Sequence, residues 1–94
     1  MVTGFNLGSI ACTRGVFERM QKDFEFSEFV KASLMRHLIG DWGDLCVEDR
    51  QENEVSLAEG FRLLSAYNSN GHPKIWIITE ADRSATTILF PSEY

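Results

Sequence analysis

The stretch Lys74-Ile75-Trp76-Ile77-Ile78-Thr79-Glu80 is almost unbroken in β-branched and aromatic side chains. Branching at Cβ stiffens the side chain and suits a pleated surface, and a run without polar alternation belongs to a strand covered on both faces. A strand over 74–80 is therefore central, and the chain must supply its neighbours. Phe61-Arg62-Leu63-Leu64-Ser65-Ala66-Tyr67 and Ala85-Thr86-Thr87-Ile88-Leu89-Phe90 fit that need. The turn cluster 68–73, which contains Asn70-Gly71, separates the first from the centre; Ala81-Asp82-Arg83-Ser84 separates the second, and Pro91 stops it. The last third of the chain is thus predicted to be a three-stranded antiparallel meander. Phe5–Cys12 alternates apolar with small or polar residues and reads as a short strand able to join it.

The middle of the chain has a different period. Val16, Phe17 and Met20 predict a short helix over 14–22 with Thr13 as its cap. Asp23-Phe24-Glu25-Phe26 reads as a turn, and Ser27 as the cap of a helix over 27–39. That helix carries Phe26, Phe29, Val30, Ser33, Leu34, His37 and Leu38 on one stripe. Gly40 ends it, because glycine tolerates a left-handed backbone. Residues 46–59 read as a third helix, with Glu48 and Asp49 in the first turn where the helix dipole favours carboxylates. Its apolar stripe is thin: Val47, Val55 and Ala58, with Leu57 beside it. The expected fold is one α+β domain over 1–94, with two to three helices covering one face of the meander.

The 14 acids and nine bases give a net charge of −5, but they are not spread evenly. Residues 41–59 hold seven acids (Asp41, Asp44, Glu48, Asp49, Glu52, Glu54 and Glu59) against Arg50 alone, a charge of −6. The other 75 residues carry seven acids and eight bases, a charge of +1. An acidic balance of this kind argues against direct nucleic-acid binding, which normally shows a basic face.

Other classes are excluded by pattern. No apolar run approaches the ~20 residues of a membrane helix. The start, Met1-Val2-Thr3-Gly4-Phe5-Asn6, lacks the basic and apolar regions of a secretory signal. The two cysteines, Cys12 and Cys46, lie 34 positions apart. They form no Cys-x-x-Cys pair, so zinc is not expected, and they read as reduced thiols of a cytoplasmic protein. There is no Gly-x-Ser-x-Gly elbow and no phosphate-binding glycine loop. No catalytic residue, metal or cofactor is therefore assigned.

Three constellations remain as candidate sites. His37 with Asp41 and Asp44 could support metal binding or acid–base chemistry, although loop aspartates commonly bond backbone amides and a histidine on an apolar stripe commonly belongs to the core. Tyr67 with Glu80, Asp82 and Arg83 could form a second site, although turn chemistry explains the same residue types. The acidic segment itself, through Asp41, Asp44, Glu48, Asp49, Glu52 and Glu54, could present a negative surface to a basic partner.

The stretch Arg36-His37-Leu38-Ile39-Gly40-Asp41-Trp42-Gly43-Asp44-Leu45, the acidic helix, Gly60–Tyr67 and Lys74–Pro91 together resemble a family of small bacterial proteins often labelled plasmid-related. The family occurs on plasmids, integrative elements and prophages, and the resemblance runs from about Asn6 to Tyr94. It implies a setting on a mobile genetic element and brings no established enzymatic residues to transfer. The resulting expectation is a non-enzymatic, anti-CRISPR-like inhibitor of a host defence complex. It would meet a basic protein surface or a nucleic-acid-binding groove of that complex. The alternatives are an antitoxin-like accessory protein and a small metal- or ligand-binding domain. An exposed edge of the meander could also pair two copies into a homodimer.

Overall fold

The computed structural model describes residues 5–94. Expectations resting on residues 1–4, including the reading of the chain start, lie outside them. The central strand, β3 (His72–Thr79), pairs antiparallel with β2 (Leu63–Ser69) on one side and with β4 (Ala85–Leu89) on the other. The expected meander is therefore present. Asn70-Gly71 forms the two-residue link between β2 and β3, with Gly71 at φ 81°.

The N-terminal strand, β1 (Ser9–Cys12), joins as the fourth member and runs parallel to β4, giving the order β1-β4-β3-β2. It is shorter than the expected 5–12. Gly8 takes φ 66° and lies so close to the Ser84 backbone that regular pairing begins only at Ser9, whose N–H donates to the Ser84 carbonyl at 3.0 Å.

Cross-strand partners share a face, so the registers sort the side chains. Leu63, Ser65, Tyr67, Ile75, Ile77, Thr79, Thr86 and Ile88 look to one side. Two helices cover that side: α1 (Arg14–Lys22) and α2 (Phe24–Leu38). Val16, Phe26 and Val30 close with Tyr67, Ile75, Ile77 and Ile88 into one buried cluster, while Phe17, on the same helical spacing, is exposed. Of the segment expected as a turn, 23–26, the residues from Phe24 onward form the first turn of α2. Asp23 is the true cap: its Oδ1 accepts the Phe26 N–H at 3.0 Å, which lets the helix start before Ser27. Thr13 stands at the N-cap of α1, but its hydroxyl donates to Glu93 Oε1 instead, at 2.5 Å.

The third helix, α3 (Val47–Glu59), departs furthest from expectation. It does not lie beside α1 and α2 but flanks β2. Its expected packing stripe faces the wrong way, since Val47, Val55 and Ala58 are exposed and Asn53 is the buried residue of the helix.

The outer edge of β2 is closed by the segment 41–53. Asn53 donates from Nδ2 to the Leu64 carbonyl at 2.6 Å and accepts the Leu64 N–H at 3.2 Å. Ala66 donates its N–H to the Trp42 carbonyl at 3.3 Å, and its own carbonyl accepts the Asp44 N–H at 2.7 Å. Asn68 N–H donates to Asp44 Oδ2 at 2.8 Å. Every second residue of β2 thus finds a partner where an open edge would invite another strand. Both edges of the meander are thus covered, that of β2 by the 41–53 segment and that of β4 by β1. Asn53→Ala leaves a backbone donor and acceptor unpaired. It is expected to cost about 2 kcal/mol in urea unfolding and to increase light scattering on storage; an unchanged midpoint would show that water replaces the side chain at no cost.

Candidate functional site

The acidic segment begins where α2 ends. Gly40 takes φ 83° and releases the chain into the loop that carries Asp41, Trp42, Gly43 and Asp44. Asp41 forms a two-pronged pair with Arg36 (Nε to Oδ2 at 2.7 Å, Nη2 to Oδ1 at 3.1 Å), and its Oδ1 also accepts the Gly43 N–H at 3.1 Å. The guanidinium bond holds the Asp41 carboxyl below the usual carboxylate range. Arg36 also lies over the Tyr67 ring, 4.9 Å from its centroid. Trp42 is buried, and its Nε1–H donates to Glu54 Oε2 at 2.6 Å. Asp44 is held by Asn68, as described above.

Arg83 fastens the far end of α3. It sits at φ 60°, a conformation rare for a side chain with a Cβ. From there its guanidinium donates to the carbonyls of Phe61 at 2.7 Å and Ser56 at 3.1 Å, the latter also accepting the Gly60 and Phe61 N–H, so the 80–84 turn is tied to the end of α3.

These bonds divide the six acids expected to meet a partner. Asp41, Asp44 and Glu54, although exposed, are hydrogen-bonded to other parts of the fold. Glu48, Asp49 and Glu52 are exposed, and among the described residues no bond of this kind engages them. Between α3 and the sheet runs a groove of about 610 Å3, with Leu64, Ala66 and Trp76 along its floor. Asp49 and Glu52 stand on one wall, and Arg62 and Lys74 on the other.

His37, Asp41 and Asp44 do not converge. His37 is fully buried, and both ring nitrogens are occupied, Nδ1 by the Ser65 hydroxyl and Nε2 by Thr79 Oγ1 at 2.9 Å. Thr79 continues to Thr86 Oγ1 at 2.8 Å, and Thr86 donates to the Leu7 carbonyl at 2.7 Å. A carbonyl only accepts, so Thr86 donates to Leu7, Thr79 donates to Thr86 and Nε2–H donates to Thr79; in the neutral ring Nδ1 is then the acceptor of the Ser65 hydroxyl. The imidazole is the neutral Nε2–H form. Burial, with a smaller contribution from Arg83, pushes its pKa down to about 4. This is a polar spine inside the core, closed to solvent. Among the described residues, no group of three or more His, Cys, Asp or Glu side chains could hold a metal ion.

The second constellation is also taken apart. Register places Tyr67 opposite Ile75 and Leu63 opposite Thr79, so Tyr67 and the 80–83 turn lie toward opposite ends of the β2–β3 hairpin. Tyr67 donates its hydroxyl to the Asp41 carbonyl at 2.7 Å, and burial pushes its phenol up to about 12. Asp82 accepts the Ser84 N–H at 2.9 Å within the turn, Arg83 is committed to carbonyls, and Glu80 is exposed. Burial and the Glu93 carboxylate raise the Cys12 thiol pKa, away from a nucleophilic thiolate.

Sequence reasoning missed Asn53 and Tyr94. Asn53 gave a signal, being an amide without charge in the middle of an acidic helix. Tyr94 gave none; it packs edge-on against Trp76 at 5.7 Å and takes a hydrogen bond from Arg62 at 2.6 Å, which folds the end of the chain over the second face of the sheet.

Comparison with protein-family models, curated proteins and solved structures finds no match to this chain. Among the described residues no helix is long and apolar enough to cross a membrane. The α+β architecture and the arrangement of α3 therefore carry the functional reading.

Proposed function

We propose that this chain is a non-enzymatic interaction protein that meets a basic protein surface through Glu48, Asp49 and Glu52 on α3. One observation carries the reading. The segment's acids are partitioned, with Asp41, Asp44 and Glu54 holding the fold while the remaining three stand together on an exposed helix. Ordered carboxylates on a rigid element speed and select encounters with a positively charged partner. The resemblance to plasmid-related proteins supplies the setting: the partner is a cytoplasmic host defence complex, and occupation of its nucleic-acid-binding groove inhibits it in the manner of an anti-CRISPR protein.

Affinity purification from the host recovers the partner and names the pathway. The triple variant Glu48→Lys, Asp49→Lys, Glu52→Lys changes the charge by about six units at exposed positions. It is expected to keep the circular dichroism and melting behaviour of the parent and to lose the partner. A folded triple variant that still captures the same partner would remove the acidic surface from the mechanism.

A further inference from the structure

The apolar side chains that α3 turns to solvent narrow what can dock there. Val47 and Val55 are 57% and 55% exposed, and Phe61, just beyond the helix, is 56% exposed. Val47, Gln51 and Val55 follow one another at i, i+4 and i+8, a row of about 12 Å along the helix. At its end Val55 and Phe61 line a shallow recess of about 510 Å3, completed by Glu48, Gln51, Glu52 and Ser56. The same helix therefore carries two exposed valines with Gln51 between them, Glu48 and Glu52 directly beside them on one flank and Arg50 and Glu54 on the other.

Charge selects the occupant. A second copy of the chain seated here about a two-fold axis would set Glu48 and Glu52 against their own kind, inside a segment that already carries −6. An added β-strand has no template on this side, because the β2 edge is closed by Asn53, Trp42 and Asp44. The complement of the Val55–Phe61 recess with its carboxylate rim is a helix of matching pattern: aliphatic residues at i, i+3/i+4 and i+7, flanked by lysine or arginine.

We infer that this face of α3 receives a basic amphipathic helix of a partner protein, with an aliphatic anchor between Val55 and Phe61 and cations against Glu48 and Glu52. The inference rests on the acidic-surface reading and adds an apolar anchor to it.

The test is calorimetric titration of the whole protein with a synthetic leucine–lysine peptide about 18 residues long, patterned as an amphipathic helix, and with a scrambled peptide of the same composition. The patterned peptide is expected to bind at least ~10-fold more tightly. The double variant Val55→Ser, Phe61→Ser, at exposed positions that leave the core intact, is expected to erase that advantage while keeping the weaker binding of the scrambled peptide. Equal binding of the two peptides, or an advantage that survives in the double variant, overturns the anchor and leaves the acidic surface standing. Binding of neither peptide overturns both.

Discussion

Acidification from neutral pH to about pH 4.5 is expected to remove about 2–3 kcal/mol of stability through His37 alone. The unfolded chain carries an ordinary histidine with a pKa near 6.5, whereas the buried imidazole has been pushed down to about 4. Between those values the unfolded state binds a proton that the folded state refuses. Stability is therefore fully present above about pH 6.5, falls as the pH drops toward 4, and levels off below. The hydrogen-bond chain sharpens the effect. Nδ1 accepts from Ser65 in the neutral ring, so a proton placed there meets a donor and forces Ser65 to turn. Urea unfolding of the parent and of His37→Gln across this range isolates the contribution, because the carboxylates titrate alike in both. The variant should start less stable at neutral pH and lose less on acidification. Parallel pH profiles would mean that His37 is charged, or hydrated, in the folded protein.

Gly43→Ala is expected to cost more than ~3 kcal/mol, against about 1 kcal/mol for Gly71→Ala. Both glycines have positive φ, 76° and 81°. They differ in surroundings. A Cβ on Gly71 meets nothing within 4 Å, so only backbone strain is felt. A Cβ on Gly43 overlaps the Ala66 carbonyl oxygen and comes within 2.7 Å of the Tyr67 ring, and neither can yield without moving β2. The same displacement pulls Asp44 from Ala66 and Trp42 from Glu54, so α3 should loosen together with the loop. Thermal and urea midpoints of the two variants measure the contrast. Similar losses for both would show that the 41–44 loop shifts freely.

The sequence shows its elements clearly wherever one periodicity dominates. The run 74–80 is central to the sheet because nothing else in the chain could line both faces of a strand so uniformly. The α2 stripe points its Phe26, Val30, Ser33 and His37 into the core as its spacing requires. Legibility fails where two local signals compete. Asp23 and Ser27 are both good caps, and only the position of Phe26 in the cluster decides for Asp23. It fails again where an acid can serve either the backbone or a partner, since the same carboxylate chemistry does both.

Periodicity and composition alone determined an α+β chain with a three-stranded meander, two to three helices and a concentration of acids over 41–59. These follow from local physics: β-branching, helical spacing, turn residues and the dipole preference of carboxylates. The tertiary structure decided which face of α3 packs. Its valines look as if they should be buried, yet Asn53 is the residue that goes inside, because an unpaired strand edge needs hydrogen bonds that a valine cannot supply. That choice turns Val47 and Val55 to solvent beside Glu48 and Glu52. It also separates the acids bonded within the fold from those that no hydrogen bond engages among the described residues.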